Sequence, residues 1–295
     1  MKIYRIFLPL TAIILLSSCN IKKEKSFAYG NFEATEIMVS AQVQGEILTF
    51  SAEEGDKLSA GQIVGLIDTT DLHLKKELLI TNKNGVASQL ESINASIAVQ
   101  KQQLENNIKT QKRILNLFNS KAATQKQLDD INGLVELNKK QIRATKVKKQ
   151  SVLAQIKSIE TQIEQIDRNI DKCFIKNPVE GTVLVKYIEK GELAVPGKPL
   201  YKVADLSVMK LKAYVSGDQL PEIKIGETVD VVFDKTKSEN NIVEGKIIWI
   251  SSTAEFTPKT IQTKKERVNL VYAVKIAVKN NGSIKIGMPG EFNLK

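Results

Sequence analysis

The sequence predicts an α+β chain in which an antiparallel helical hairpin is inserted between two halves of a small β-sandwich, with further β structure after it. Two observations carry this prediction. The first is an internal repeat: VQGEILTFSAEEGDKLSAGQIVGLIDTTDL from Val43 aligns with VEGTVLVKYIEKGELAVPGKPLYKVADL from Val179, and Gly45, Gly55 and Gly61 meet Gly181, Gly191 and Gly197 at identical spacing. The second is the long stretch between the two copies, which carries a heptad apolar seam in each of its halves.

The amino terminus is the first element. Lys2 and Arg5 form a short basic region, an apolar run follows from Ile6 to Leu16, and LSSC ends at Cys19. The run is too short for a mature membrane-spanning helix and reads as a secretory signal over residues 1–18. Leu16, two serines and Cys19 resemble a bacterial lipobox, and that resemblance implies lipidation of Cys19 as the first mature residue. The alternative is an ordinary signal peptide with a chance cysteine. The polar stretch NIKKEKS then reads as a flexible tether, giving a lipidated tether over residues 19–29.

The repeat halves come next. In both, alternation and β-branched residues mark short strands, and the glycines are expected at turns that need positive φ. Val43, Leu48, Leu58 and Val64 have apolar counterparts in Val179, Leu184, Ala194 and Leu200. Two such halves make a pseudo-symmetric sandwich.

Between them, residues 70–172 read as two helices. Leu72, Leu79, Val86 and Ile93 lie seven apart, with Leu90, Ile97 and Leu104 as companion row. On the second arm Leu128, Val135, Ile142, Ile156, Ile163 and Ile170 keep one phase, and Ile131, Val152, Ile159 and Ile166 the other. Arms of roughly 45 residues span about 65–70 Å. They should pair with each other, because a parallel dimer would separate the sandwich halves. Gln100, Asn107, Asn138, Thr145 and Lys149 are polar seam positions that cost stability and can fix register; with Gly133 they suggest a looser middle section. Thr124-x-x-Gln127 fits a capping box. From residue 206 the pattern is all β, with VMKLKAYV and VEGKIIWIS as strands. Trp249 alternates with apolar neighbours and is expected in the strand core.

The Gly-repeat resembles the half-motifs of a biotinyl/lipoyl carrier domain, but no hairpin-tip lysine is present to be modified. Split halves flanking a helical insert resemble the HlyD-like periplasmic adaptor, or membrane-fusion protein, family. The segment TAEFTPKTIQTKKERVNLVYAVKIAV closely resembles the YbhG-like subgroup, associated with ABC exporters. The resemblance implies an elongated adaptor: a lipoyl-like β-sandwich, Gly45, Gly55, Gly61, Gly181, Gly191 and Gly197 its turn glycines, in halves at 41–69 and 173–205. The α-helical hairpin occupies 70–172 and a β-barrel 206–256. A membrane-proximal domain is expected over 257–295, its closing strand pairing with a strand at 30–40 around ATEIMVSAQV. The resemblance also implies the partners: an inner-membrane exporter, ABC-type by subgroup, a TolC-like outer-membrane channel, the membrane through the lipid, and further copies of the chain, as a hexamer. Adaptor hairpins that dock on TolC-like channels share a tip pattern of Arg, three residues, Leu, six residues, Ser or Thr. Arg113, Leu117 and Thr124 match it. The other reading makes Leu117 the last core layer and Thr124 a cap alone.

No catalytic constellation or phosphate-binding loop is present, so an enzyme is not expected, and neither is a cofactor or metal. His73 is the only histidine and lacks metal or triad partners. Cys173 falls on a seam row and reads as a small buried residue. The net charge of +10 suits an anionic membrane surface or an acidic partner rather than nucleic acid, because the lysines are spread along helices and aromatics are 5% of residues. An adaptor of a proton-driven RND pump is the alternative within the family; a carrier subunit of a transferase is the alternative outside it. The expected place is the periplasmic face of the inner membrane.

Overall fold

The computed structural model describes residues 27–236, 239–256 and 270–295. They divide into two units: residues 37–203, and a second unit joining the residues up to 36 with those from 204 onward.

In the first unit, a four-stranded sheet has the order β2 (Glu36–Ser40), β9 (Pro199–Ala204), β7 (Gly181–Lys186), β4 (Lys57–Leu58). The other has the order β6 (Phe174–Lys176), β5 (Ile63–Ile67), β3 (Gly45–Phe50), β8 (Leu193–Ala194). The offset that carries Gly45 onto Gly181 carries one sheet onto the other, so each sheet takes strands from both repeats. The backbone bonds repeat in the same way. Gly55 N donates to Val183 O at 2.9 Å and Gly191 N to Ile47 O at 2.8 Å; Gly61 N donates to Asn177 O at 2.7 Å and Gly197 N to Ala41 O at 2.9 Å. Neither half can satisfy its backbone without the other, which is why a long insert between them is tolerated only if it returns to its starting point.

Gly55, Gly61, Gly191 and Gly197 have φ between 78° and 94°, as turns require. Gly45 and Gly181 do not; they open β3 and β7. A Cβ on Gly45 would lie 2.7 Å from Ile67 Cγ2, so that glycine is there for close strand packing. Spacing alone does not separate the two uses of glycine.

The repeat breaks its symmetry in the core. Tyr201, fully buried, donates from its hydroxyl to Asn177 Oδ1 at 3.1 Å, and Asn177 Nδ2 donates to the carbonyls of Ser59 and Val179. The first-half counterparts of these residues are Gly65 and Ala41. One aromatic ring thus fills the space that two symmetric ones would contest, and every polar atom of Asn177's amide group is engaged.

The hairpin is α1 (Thr70–Asn119) and α2 (Gln125–Cys173), 50 and 49 residues, or about 75 Å each and longer than expected. Every residue of the apolar rows is buried or half-buried. Lys76–Asp167 at 2.6 Å, Lys83–Glu160 at 3.3 Å and Gln111 Nε2 to Asn132 Oδ1 at 2.8 Å bridge the arms. The residue numbers of each pair have the same total, so one antiparallel register runs along the hairpin. Cys173 closes α2 fully buried in the sandwich core, and His73 is exposed.

The second unit is a β-barrel. Its strands β10 (Val208–Ser216), β1 (Ala28–Glu33), β15 (Pro289–Leu294), β11 (Thr228–Asp234), β12 (Asn240–Ile250) and β14 (Leu270–Lys279) pair in that order, and β10 pairs again with β14 to close the ring. A short β13 (Glu255–Phe256) adds to β14. Phe32 and Phe233 meet edge to face at 5.9 Å inside, among Leu211, Ile247, Ile276 and Phe292.

This topology corrects the assignment of a separate membrane-proximal domain. Among the described residues, β14 and β15 are barrel strands, and the strand that pairs with β15 is β1, with Ala28 opposite Phe292, rather than ATEIMVSAQV. Residues 36–40 of that stretch belong to the sandwich as β2. The physical reason is closure: a barrel leaves no edge only if every strand finds two neighbours, and strands from both ends of the chain supply the missing ones. Alternation shows that a segment is a strand without showing which sheet it joins.

Candidate functional site at the hairpin tip

The last turn of α1 carries two kinds of apolar residue. Ile114 and Phe118 continue the seam rows and are half-buried; Leu115 and Leu117 are 43% and 41% exposed. Leu117 is therefore not the last core layer. Phe118 holds that place, and Leu117 stands beside it on the outside of the coil. Arg113 lies four residues before Leu117, one turn away on the same face, and makes no ion pair or side-chain hydrogen bond among the described residues.

The turn is built from capping motifs at both ends. Ala122 N donates to Leu117 O at 2.8 Å and Lys121 N to Phe118 O at 2.9 Å, the Schellman arrangement, with Lys121 at φ 63° in the position usually given to glycine. Ser120 Oγ also donates to Leu117 O, at 2.9 Å. On the far side Thr124 has extended backbone and caps α2: Gln127 N donates to Thr124 Oγ1 at 3.3 Å, and Thr124 N donates back to Gln127 Oε1 at 2.8 Å, completing the capping box. Thr124 is therefore committed to a cap, and the same bonds hold its hydroxyl at the tip of the hairpin.

The structure thus puts Arg113 and Leu117 on one face near the end of α1 and Thr124 at the cap of α2. The tip's left-handed Lys121 was not read from the sequence, because lysine gives no signal for that conformation. Cys19 lies outside the described residues. The tip presents a guanidinium, an ammonium group, exposed apolar side chains and capped helix ends, which suits recognition of another protein's surface.

Three comparisons bear on this chain. The family model described as RND MFP, barrel-sandwich hybrid domain, matches residues 35–206. A UPF0194 membrane protein of Yersinia pseudotuberculosis serotype IB (strain PB1/+) is 24% identical over 286 residues, covering 88% of this chain and 87% of the relative. A UPF0194 membrane protein of Citrobacter koseri is 24% identical over 289 residues, covering 88% and 86%. Among solved structures, MacA from Actinobacillus actinomycetemcomitans superposes with a TM-score of 0.59 at 23% identity, over 90% of this chain and 76% of that one. The periplasmic adaptor protein EmrA superposes with a TM-score of 0.51 at 15% identity, over 92% and 98%.

Proposed function

The chain belongs to the membrane-fusion protein family of the barrel-sandwich hybrid domain, a class of non-enzymatic adaptors, and from that premise we propose that it is the periplasmic adaptor of a tripartite efflux or secretion system. In this reading it is anchored by lipid on Cys19 at the inner membrane and binds an exporter there. Its hairpin tip docks on a TolC-like outer-membrane channel. The exporter is read as ABC-type, from the resemblance of residues 253–278 to the YbhG-like subgroup. The matched family's own description names RND pumps, which keeps the proton-driven exporter as the second reading. A Walker-motif ATPase encoded beside this reading frame decides for the first.

The observation that carries the docking role is the outward placement of Leu117 beside a seam that Phe118 already fills. Leu117 and the adjacent exposed Leu115 together put apolar surface at the tip, which an apolar groove between channel helices would cover. Arg113 then supplies hydrogen bonds to carbonyls or a carboxylate at the channel entrance.

The test is Leu117→Ser and Arg113→Asp, made separately. Each variant is expected to keep its stability within about 0.5 kcal/mol, as surface changes do. Each is expected to lose site-directed cross-linking to the outer-membrane channel while keeping cross-linking to the exporter. Normal channel cross-linking in both variants contradicts the docking role.

A further inference from the structure

The strand β12 contains a bulge with a consequence for the barrel's surface. Ile247 pairs with Ile276 and Trp249 with Lys275, so Ile248 is an extra residue without a place in the ladder. Ile247 points inward and is fully buried. The bulge then turns two consecutive apolar side chains outward: Ile248 is 42% and Trp249 40% exposed. Trp249 is consequently not in the strand core, where alternation had put it.

The turn at residues 224–227 is stitched to the same place. Gly226 N donates to Ile247 O at 2.8 Å and Ile247 N to Glu227 O at 2.9 Å, and on this turn Ile225 is 66% exposed. Three lysines frame the apolar residues. Lys275 Nζ sits 5.5 Å above the centre of the Trp249 ring, and Lys224 and Lys246 are exposed on either side of Ile225 and Ile248. Two neighbouring carboxylates are already engaged: Glu227 accepts from the backbone N of Lys224 at 2.8 Å within the turn, and Glu255 lies 3.7 Å from Lys212.

Antiparallel pairing all round the ring puts the ends of β10, β12 and β15 and the starts of β1, β11 and β14 at one end of the barrel. The chain from Cys19 enters the structure at this end, at Phe27, whose N donates to Phe292 O. Eight residue steps separate Cys19 from Phe27, a reach of at most about 28 Å.

We propose that Ile225, Ile248 and Trp249, framed by Lys224, Lys246 and Lys275, form a membrane-contact patch that seats this end of the barrel on anionic phospholipid. An indole and branched aliphatic side chains ringed by lysines match the chemistry of the headgroup boundary, where the rings bury and the ammonium groups meet phosphate. The proposal rests on the reading of Cys19 as a lipid anchor, since the short reach of the tether is what keeps this end within range of the bilayer. The anchor would then hold the chain at the bilayer, and the patch would orient this end of the barrel against it.

Trp249 is the only tryptophan of the chain, so its emission reports directly on the patch. The test uses the chain from Asn20 onward, which has no lipid and keeps every described residue, with vesicles of phosphatidylethanolamine and phosphatidylglycerol or of phosphatidylcholine alone. The expected result is a blue shift of Trp249 emission and quenching by brominated lipid with the anionic vesicles only. Lys224→Gln and Lys246→Gln should each weaken that binding about fivefold. Ile225→Ser with Ile248→Ser, checked for an unchanged fold by circular dichroism, should weaken it about tenfold. No emission change with either vesicle would assign the patch to a protein surface and overturn the proposal; so would vesicle binding that is indifferent to all four substitutions. Palmitate labelling of the full chain against Cys19→Ala tests the anchor separately. Label in the full chain with no Trp249 shift removes the patch alone, and a shift without label removes the anchor alone.

Discussion

Lys121 shows how a single backbone angle can set the cost of a turn. Its φ of 63° lies in the left-handed region, where a Cβ crowds the following carbonyl. Lys121→Gly is therefore expected to stabilise the hairpin by about 1 kcal/mol, read as slower hydrogen exchange in the flanking turns and a higher melting temperature. A lower melting temperature would show that the lysine side chain contributes more than its backbone costs. Tyr201 gives the second residue-scale prediction. Burial pushes its phenol up from 10.0 to about 12. An unfolded chain releases that proton from about pH 10 upward while the folded one holds it, so the stabilisation is complete below pH 10 and is lost as pH rises to about 12. Tyr201→Phe should remove this component of the alkaline loss when denaturation midpoints of the two proteins are compared across that range. At neutral pH it should cost about 1 kcal/mol, because Asn177 Oδ1 loses its donor. Neither residue was singled out from the sequence: a lysine carries no turn signal, and a tyrosine in a strand reads the same whether or not its hydroxyl finds a buried partner.

At the scale of elements, the hairpin was the most legible part of the chain, because a seven-residue period sustained over five or more turns has few other physical explanations. Its polar seam positions are now placed. Asn107 and Asn138 fall within two residues of the register set by the cross-arm pairs, so they occupy the same stretch of the seam, and both are more than nine-tenths buried. Asn107 Nδ2, Asn138 Nδ2 and Gln100 Oε1 have no hydrogen-bond partner among the described residues. A buried amide without a partner costs about 1–3 kcal/mol. The double substitution Asn107→Leu with Asn138→Leu is therefore expected to raise thermal stability, measured by circular dichroism. If these residues specify register, cysteines placed at Lys76 and Asp167 should form a disulfide less selectively in the leucine variant than in its parent. Unchanged stability would mean that the amides find partners in solution. The β strands were legible as strands, and the repeat located the sandwich. The membership of β1, β14 and β15 in the barrel was not legible, since alternation constrains one face of a strand and leaves its neighbours open.

For the whole molecule, the proposed adaptor role requires several copies, because one hairpin cannot enclose a path. Native mass spectrometry of the complex with exporter and channel is expected to show six copies of this chain; a strict monomer in that complex contradicts the assembly. Periodicity and repeat spacing by themselves determined the hairpin, its insertion between two sandwich halves and the capping box at Thr124, because each of these depends on residues near one another in sequence or on a pattern that repeats. Tertiary structure decided the rest. It exchanged strands between the repeat halves, closed the barrel with strands from both ends of the chain, and turned Trp249 outward through a bulge. Those outcomes depend on which backbone groups find partners and which side chain reaches a cavity first, and both are settled between segments far apart in the chain.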